Sequence, residues 1–348
     1  MPALDRRYDI DWMRVIAIAL LLIYHVAIGF QPWGMMIGFI TNEKSWEALW
    51  VPMSMLNVWR IPLLFYVSGM GVYFAIRNRS WKQLLQERAR RILLPFFFGM
   101  LLIVPLHIYI WQRYYKFDID YLPGPGHLWF LGNLFVYVVL LAPIFFYLKK
   151  NEKGELLTWI KRLYSTPLGI LFMMGIFIAE VLVLDPVPFE MYAMTWHGFV
   201  LGLLAFLFGF CFVLCGATFW DMILKWRWLF LVFAISFFVI RLIYLQTSTP
   251  TYMLSVESNC WIISFFAFAY KYGNHPDNLL RYLSSAAYPF YILHMIFLYL
   301  GSYLIFPLDI EVRIQFLLVL LFTITGCFIT YEFLIRRISF IRPLFGLK

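Results

Sequence analysis

The sequence predicts an all-α integral membrane protein, a single bundle of about ten transmembrane helices. Hydrophobic residues make up 63% of the 348 residues and charged residues only 14%, whereas soluble domains are about half apolar and about a quarter charged. Apolar runs of roughly 20 residues, the length that spans a bilayer, follow one another with short breaks between them. Lys and Arg concentrate in every second break, which is typical of cytoplasmic loops.

The apolar runs between charged or Pro- and Gly-containing breaks predict ten spans. They cover residues 13–30, 57–76, 92–111, 128–148, 168–184, 196–219, 228–246, 253–272, 285–305 and 313–335. We find no internal repeat, low-complexity tract or long linker, so residues 1–348 are expected to form one domain. The first run lacks a small-residue cleavage site, which favours a retained helix over a signal peptide.

The basic residues indicate the orientation of the spans. The N-terminus, alternate loops and the tail from Arg336 hold 21 of the 28 Lys and Arg residues. Both termini are therefore expected in the cytoplasm. Topology accounts for the net charge of +9, and no nucleic-acid partner is expected. The four cysteines lie within apolar runs and are expected to be buried thiols, and no metal site is predicted.

The first span carries two ionisable residues, Arg14 near its start and His25 well inside it. Eleven helical residues place them within about 20° of the same face and about 16–17 Å apart along the axis. Ionisable groups at membrane depth usually face a bundle interior or a watered cavity. A snorkelling Arg14 and a hydrogen-bonded core His25 are the structural alternatives. An acyl-coenzyme A fits the spacing, with its phosphates at Arg14 and its thioester at His25.

Several motifs then resemble one known family. The stretch DIDWMRVIAIALLLIYH (9–25) resembles the first-helix signature of the membrane-bound acyltransferase 3 family, in which an arginine or lysine, ten residues and a histidine follow one another. The motifs FYVSGM, RARRILLPFFFG, HLWFLGNLFVY and SSAAYPFYILH resemble the same family and occur in the same order. The tail YEFLIRRISFIRPLFGLK resembles the branch that contains glucan biosynthesis protein C.

The resemblance implies a transfer of an acyl group from cytoplasmic acetyl-CoA or succinyl-CoA to a carbohydrate hydroxyl on the far side of the membrane. It implies that His25 is catalytic and that Arg14 contacts the donor. The branch favours succinyl transfer to a periplasmic glucan, with the protein in the cell inner membrane. Glu332 is followed by Phe333 where many members have a basic residue and proline, so the family's role for that acid is not carried over.

Five further residues are candidates for the donor site. Arg88, Arg90 and Arg91 abut the third span, where arginine side chains suit phosphate oxygens, although topology alone also explains them. Ser68 either lines the pore or allows close helix contact beside Gly69. Tyr288 lies in the ninth span, where it could contact the donor.

Two more residues are candidates for the reaction itself. His294 would polarise the acyl carbonyl, bind the acceptor or form a structural hydrogen bond. Glu257 would either neutralise Arg241 at similar depth or orient His25, as the carboxylate of a hydrolytic triad does. The sequence does not choose between these alternatives.

Outside the membrane, His127, Trp129 and Asn133 follow the LPGPG loop. An aromatic ring can cover a sugar face while the polar side chains donate hydrogen bonds, so we expect the acceptor there; the aromatic belt of membrane proteins explains Trp129 equally well.

The alternative function is a transporter or exporter of a glycan or lipid-linked sugar, without bond chemistry. Ten spans and buried charges would suit it too. Many secondary transporters consist of two related halves, and this sequence shows no duplication. The oligomeric state stays open.

Overall fold

The computed structural model describes residues 6–245 and 248–347, and the regular secondary structure within these ranges is entirely helical. Ten helices are long and apolar enough to cross a membrane. They are α1 (Tyr8–Ile28), α2 (Glu47–Ile76), α3 (Trp81–Tyr115), α4 (Gly126–Lys150), α6 (Pro167–Leu184), α7 (Trp196–Cys215), α8 (Ala217–Leu245), α9 (Thr251–Gly273), α10 (Asn278–Ile305) and α11 (Val312–Ile335). A short amphipathic helix, α5 (Glu155–Leu163), lies between α4 and α6. The predicted all-α membrane class and all ten spans are confirmed.

The boundaries differ from the predicted ones mainly at the N-terminal ends of helices. The helix α3 begins at Trp81 rather than at residue 92, because its first turns are charged and hydropathy does not detect them. The helix α2 begins at Glu47 and is interrupted by a turn at Val58 and Trp59. The predicted end of the seventh span, Gln246, lies outside the described residues.

The helix α3 contains two wide π-helical turns, at Ala89–Leu93 and Gly99–Ile103. A proline follows each turn, Pro95 and Pro105, near the start of the next α-helical stretch. Proline has no N–H to donate and its ring crowds the preceding turn, so a local widening lets the helix continue. Such turns are frequent at functional sites, and the first one carries Arg90 and Arg91.

The described residues fall into two compact units, each assembled from segments that are distant in sequence. The first unit comprises the described residues up to Ala17, Asn57–Leu85 and Val136–Arg281. The second unit comprises Ile18–Leu56, Gln86–Phe135 and the described residues from Tyr282 onward.

In the first unit, α2 and α7 approach each other at two reciprocal glycines. A Cβ atom on Gly69 would collide with the backbone of Phe206, and one on Gly209 would collide with the backbone of Tyr66. Small residues allow such backbone contact, which replaces the hydrophobic driving force that lipid does not supply. Beside this contact the Tyr66 ring stacks on Phe212, with 5.7 Å between the ring centroids.

In the second unit, polar contacts hold the loop after α1 against the start of α11. The buried Asn42 Nδ2 donates to Gln315 Oε1 at 2.6 Å. Nearby, Lys44 pairs with the exposed Asp309 at 2.6 Å and holds the pKa of that carboxyl below its usual value. Phe30, fully buried in the turn that follows α1, packs its ring against Phe306. These contacts fix the end of α1 that carries His25.

We expect Gly209→Ala to destabilise the protein by at least about 2 kcal/mol, because overpacking here meets backbone rather than a movable side chain. Thermal unfolding of the purified protein measures the loss. Gly175→Ala is the matched control in the same unit, since nothing lies within 4 Å of its added Cβ. Equal unfolding temperatures for the two variants would contradict the close contact.

Candidate active site

The central feature of the second unit is a hydrogen bond between two histidines of different helices. His25 Nδ1 on α1 lies 2.9 Å from His294 Nε2 on α10. The ring planes differ by 17° and the centroids are 5.1 Å apart, so the rings meet edge to edge in nearly one plane. His294 is fully buried, whereas His25 is partly exposed. His25 is therefore the member of the pair that a substrate could reach.

Tyr291, one turn before His294 on α10, supports this pair with two hydrogen bonds, one from its backbone and one from its side chain. Its backbone oxygen accepts a hydrogen bond from His294 Nδ1 at 2.8 Å. Its hydroxyl donates to the backbone oxygen of His127 at 2.6 Å. The start of α4 is thus tied to the same turn of α10 that orients His294.

Two more histidines, His127 and His107, lie next to the pair, and the four rings together form a histidine row. The His127 ring lies edge-on to His294 at 5.1 Å, and His107 on α3 lies 5.5 Å from His127. His127 Nε2 donates to the backbone oxygen of Ile292 at 3.1 Å, and His127 Nδ1 is buried without a hydrogen-bond partner among the described residues. The described residues of the chain contain no group of three or more His, Cys, Asp or Glu side chains arranged to hold a metal ion.

Aromatic rings surround the histidines. Phe39 lies 5.6 Å from His25, and Tyr299 lies 5.0 Å from His107. Sequence reasoning missed His107, Phe39 and Tyr299. His107 could have been noticed as a third ionisable group inside an apolar run, whereas the two rings had no signal among the 37 Phe and 22 Tyr residues.

Tyr288 lies one turn before Tyr291 on α10, and the two ring centroids are 6.5 Å apart. Its hydroxyl is buried and has no hydrogen-bond partner among the described residues. The C-terminal segment packs against it, because a Cβ atom on Gly346 would collide with the Tyr288 ring, and Gly346 has a φ of +69° that favours glycine.

The predicted acceptor residues lie at the start of α4. His127 is part of the histidine row, as described above. Trp129 and Asn133 follow on α4 at a spacing of one helical turn, and both are partly exposed. The Trp129 ring contacts Phe130. The geometry brings His127 into contact with the central pair.

Two of the three predicted phosphate ligands on α3 share one acidic partner. Glu87 accepts ion pairs from Arg88 at 3.3 Å and from Arg91 at 3.1 Å, while Arg90 is exposed. Two of the three predicted phosphate ligands therefore already have a carboxylate beside them, and an incoming phosphate would compete with Glu87 for them.

Two predicted donor-site residues belong to the first unit. Arg14 lies on the same continuous helix α1 as His25, pairs with Asp11 at 3.4 Å and keeps 37% of its side-chain surface exposed. Ser68 donates its hydroxyl to the backbone oxygen of Leu64 at 2.7 Å. The close helix contact expected at this position is made by the neighbouring Gly69.

The sequence model of the acyltransferase 3 family, described as an acyltransferase domain, matches residues 7–332. The chain belongs to the acyltransferase 3 family. It is thus a membrane acyltransferase with ten candidate membrane-spanning helices. In the same comparisons no curated protein and no solved structure matches the chain.

The matched region of this family member includes every predicted site residue, from Arg14 to His294. It ends at residue 332, and Glu332 itself bonds Arg336 and the Tyr282 hydroxyl. Most of the tail that resembles the glucan biosynthesis protein C branch lies beyond this point. That finer resemblance therefore stays a prediction.

The remaining candidate of the acyltransferase, Glu257, is engaged by Arg241. Arg241 Nε lies 2.9 Å from one carboxylate oxygen and Nη2 lies 2.8 Å from the other. Glu257 is fully buried and the Arg241 side chain is 10% exposed. Such a two-pronged contact satisfies both carboxylate oxygens. Of the two alternatives that the sequence left open, mutual neutralisation is the one seen.

We expect Arg241→Gln and Glu257→Gln each to destabilise the protein by about 3 kcal/mol, because each leaves a buried charge without its partner. The double variant Arg241→Gln/Glu257→Gln should be clearly more stable than the sum of the two losses implies. Chemical or thermal unfolding of the three variants tests this. Strictly additive losses, or a Glu257→Gln protein of normal stability and low activity, would contradict a structural pair.

Proposed function

We propose that this protein is a transmembrane O-acyltransferase of the cell inner membrane. It moves an acetyl or succinyl group from cytoplasmic acyl-CoA to a hydroxyl of an extracytoplasmic glycan, such as a periplasmic glucan. The proposal is carried by a single observation, the partly exposed His25 held by a buried His294 inside a member of an acyltransferase family.

The proposed reaction uses the imidazole of His25. As a general base it takes the proton of the acceptor hydroxyl while that oxygen attacks the thioester carbon; the carbon–sulfur bond breaks and the coenzyme A thiolate takes up the proton. In a covalent route the ring attacks the thioester carbon first, the carbon–sulfur bond breaks and the coenzyme A thiolate leaves. The sugar hydroxyl then attacks the acyl-imidazole carbon, the carbon–nitrogen bond breaks, and the hydroxyl proton passes to the thiolate. Both routes begin with a neutral ring and are compatible with the same residues.

The donor is proposed to enter from the cytoplasm, because coenzyme A and a glycan do not cross the bilayer readily. Arg14 would hold a phosphate, since the distance of about 16–17 Å along α1 from Arg14 to His25 suits a pantetheine arm. Arg88, Arg90 and Arg91 are further phosphate ligands, and Ser68 and Tyr288 would line the arm. The arginines supply charge-assisted hydrogen bonds to phosphate oxygens.

The acceptor is proposed to bind at the start of α4. The ring of Trp129 would cover a sugar face, while His127 and Asn133 would bond its hydroxyls. Support comes from His127, whose ring contacts His294 and whose Nδ1 is a buried acceptor without a partner among the described residues.

We expect His25→Ala to lower coenzyme A release from acetyl-CoA or succinyl-CoA by at least about 100-fold, because the general base or nucleophile is lost. Purified protein in nanodiscs, with a glycan acceptor and a thiol reagent, provides the assay. His275→Ala is the matched control, since His275 is exposed. A transporter would release no coenzyme A in any variant.

We expect Arg14→Ala to raise the KM for acyl-CoA by about 10-fold or more with a smaller effect on kcat, because a charge-assisted hydrogen bond to phosphate is lost. Lys153→Ala, an exposed basic residue, is the control. An unchanged KM would remove Arg14 from the donor site.

Mass spectrometry of periplasmic and surface glycans from cells with and without the gene identifies the acyl group and the acceptor.

A further inference from the structure

His294 makes two hydrogen bonds, and the chemistry of its partners decides which atom donates in each of them. The backbone oxygen of Tyr291 can only accept a hydrogen bond, so His294 Nδ1, 2.8 Å away, carries a hydrogen. A neutral imidazole has one ring hydrogen. In neutral His294, Nε2 therefore holds a lone pair.

The tautomer of His294 in turn decides which ring nitrogen of His25 carries a hydrogen. Because His294 Nε2 is an acceptor, the hydrogen of the 2.9 Å contact belongs to His25 Nδ1. Neutral His25 then has no hydrogen on Nε2. The hydrogen bond of one ring nitrogen decides which form the ring takes, as it does in histidines that bind metals or act in triads.

From this we infer that His294 is a positioning residue that holds His25 in the Nδ1–H tautomer and so makes His25 Nε2 the reacting nitrogen. This inference rests on the proposed function. It also assigns His294 a role distinct from polarising the acyl carbonyl, because its two nitrogens are occupied by Tyr291 and His25 and its ring is fully buried.

The contact keeps its direction during the reaction. When Nε2 takes the hydroxyl proton, or forms a bond to the acyl carbon, His25 becomes positively charged and still carries the hydrogen on Nδ1. The bond to His294 Nε2 then becomes charge-assisted and strengthens. A neutral imidazole here does what a carboxylate does in a hydrolytic triad, orienting the base and stabilising its cation.

The surroundings keep the His294 acceptor in place. The Tyr291 hydroxyl donates to the backbone oxygen of His127, which fixes the turn whose carbonyl holds His294 Nδ1. The His127 ring stands edge-on to His294, with 84° between the planes. Rotation of the fully buried His294 ring would break its hydrogen bond to Tyr291.

The first test is nitrogen NMR of the full-length protein labelled with ¹⁵N-histidine in nanodiscs. The chain has only six histidines, so loss of one set of signals in His25→Ala assigns His25. We expect the wild-type protein at alkaline pH to show a hydrogen on His25 Nδ1 and none on Nε2. A His25 ring with its hydrogen on Nε2 would overturn the inference, and this readout needs neither activity nor a His294 variant.

The second test compares two substitutions of His294. His294→Gln places an amide oxygen near the position of Nε2, where it can accept from His25 Nδ1 but cannot take up a proton. His294→Phe keeps an aromatic ring without an acceptor. We expect His294→Gln to retain the Nδ1–H signal and a kcat within about 10-fold of wild type. His294→Phe should lose that tautomer and about 100-fold in kcat, with the KM for acyl-CoA nearly unchanged.

His275→Gln is the control for both measurements. A His294→Phe protein with wild-type kcat, or a His294→Gln protein that loses as much kcat as His294→Phe, would overturn the inference. Failure of the proposed function is recognised separately, since wild-type protein would then release no coenzyme A whatever tautomer His25 adopts.

Discussion

Hydrocarbon supplies no hydrogen-bond partner, and the described structure follows from that constraint. Every backbone group within a span must be satisfied by the chain itself, which leaves the α-helix as the local solution. Polar side chains obey the same rule. Ser68 donates to Leu64, and His107 is bonded to Ile103, the backbone oxygen one turn earlier in each case. Arg241 and Glu257 satisfy each other instead.

The constraint has a chemical consequence at the histidine row. In water a ring hydrogen exchanges freely between the two nitrogens of histidine. Here Tyr291 engages one nitrogen of His294, and Ile292 engages one nitrogen of His127. Each of these rings is therefore left with a defined acceptor nitrogen. Tyr291, His294 and His25 thereby form a directed series of two hydrogen bonds, which ends at the partly exposed His25.

The helix architecture brings the residues of this arrangement together. Prolines and wide turns let α3 stay continuous through Pro95 and Pro105, so that it carries basic residues at its start and His107 further along. The four rings of the row come from α1, α3, α4 and α10, which are far apart in sequence. Their meeting is a property of the second unit as a whole.

The sequence by itself determined the all-α class and the ten spans, because hydropathy and span length are averages over about 20 residues and need no knowledge of neighbours. It also pointed to His25 and His294 as ionisable groups that lipid would not tolerate alone. Only the tertiary structure decided that these two rings bond each other, that Glu257 pairs with Arg241, and that His107 joins the row. Those outcomes depend on which helices lie side by side and on rotamers chosen within a few ångströms, and no periodicity along the chain encodes such pairings.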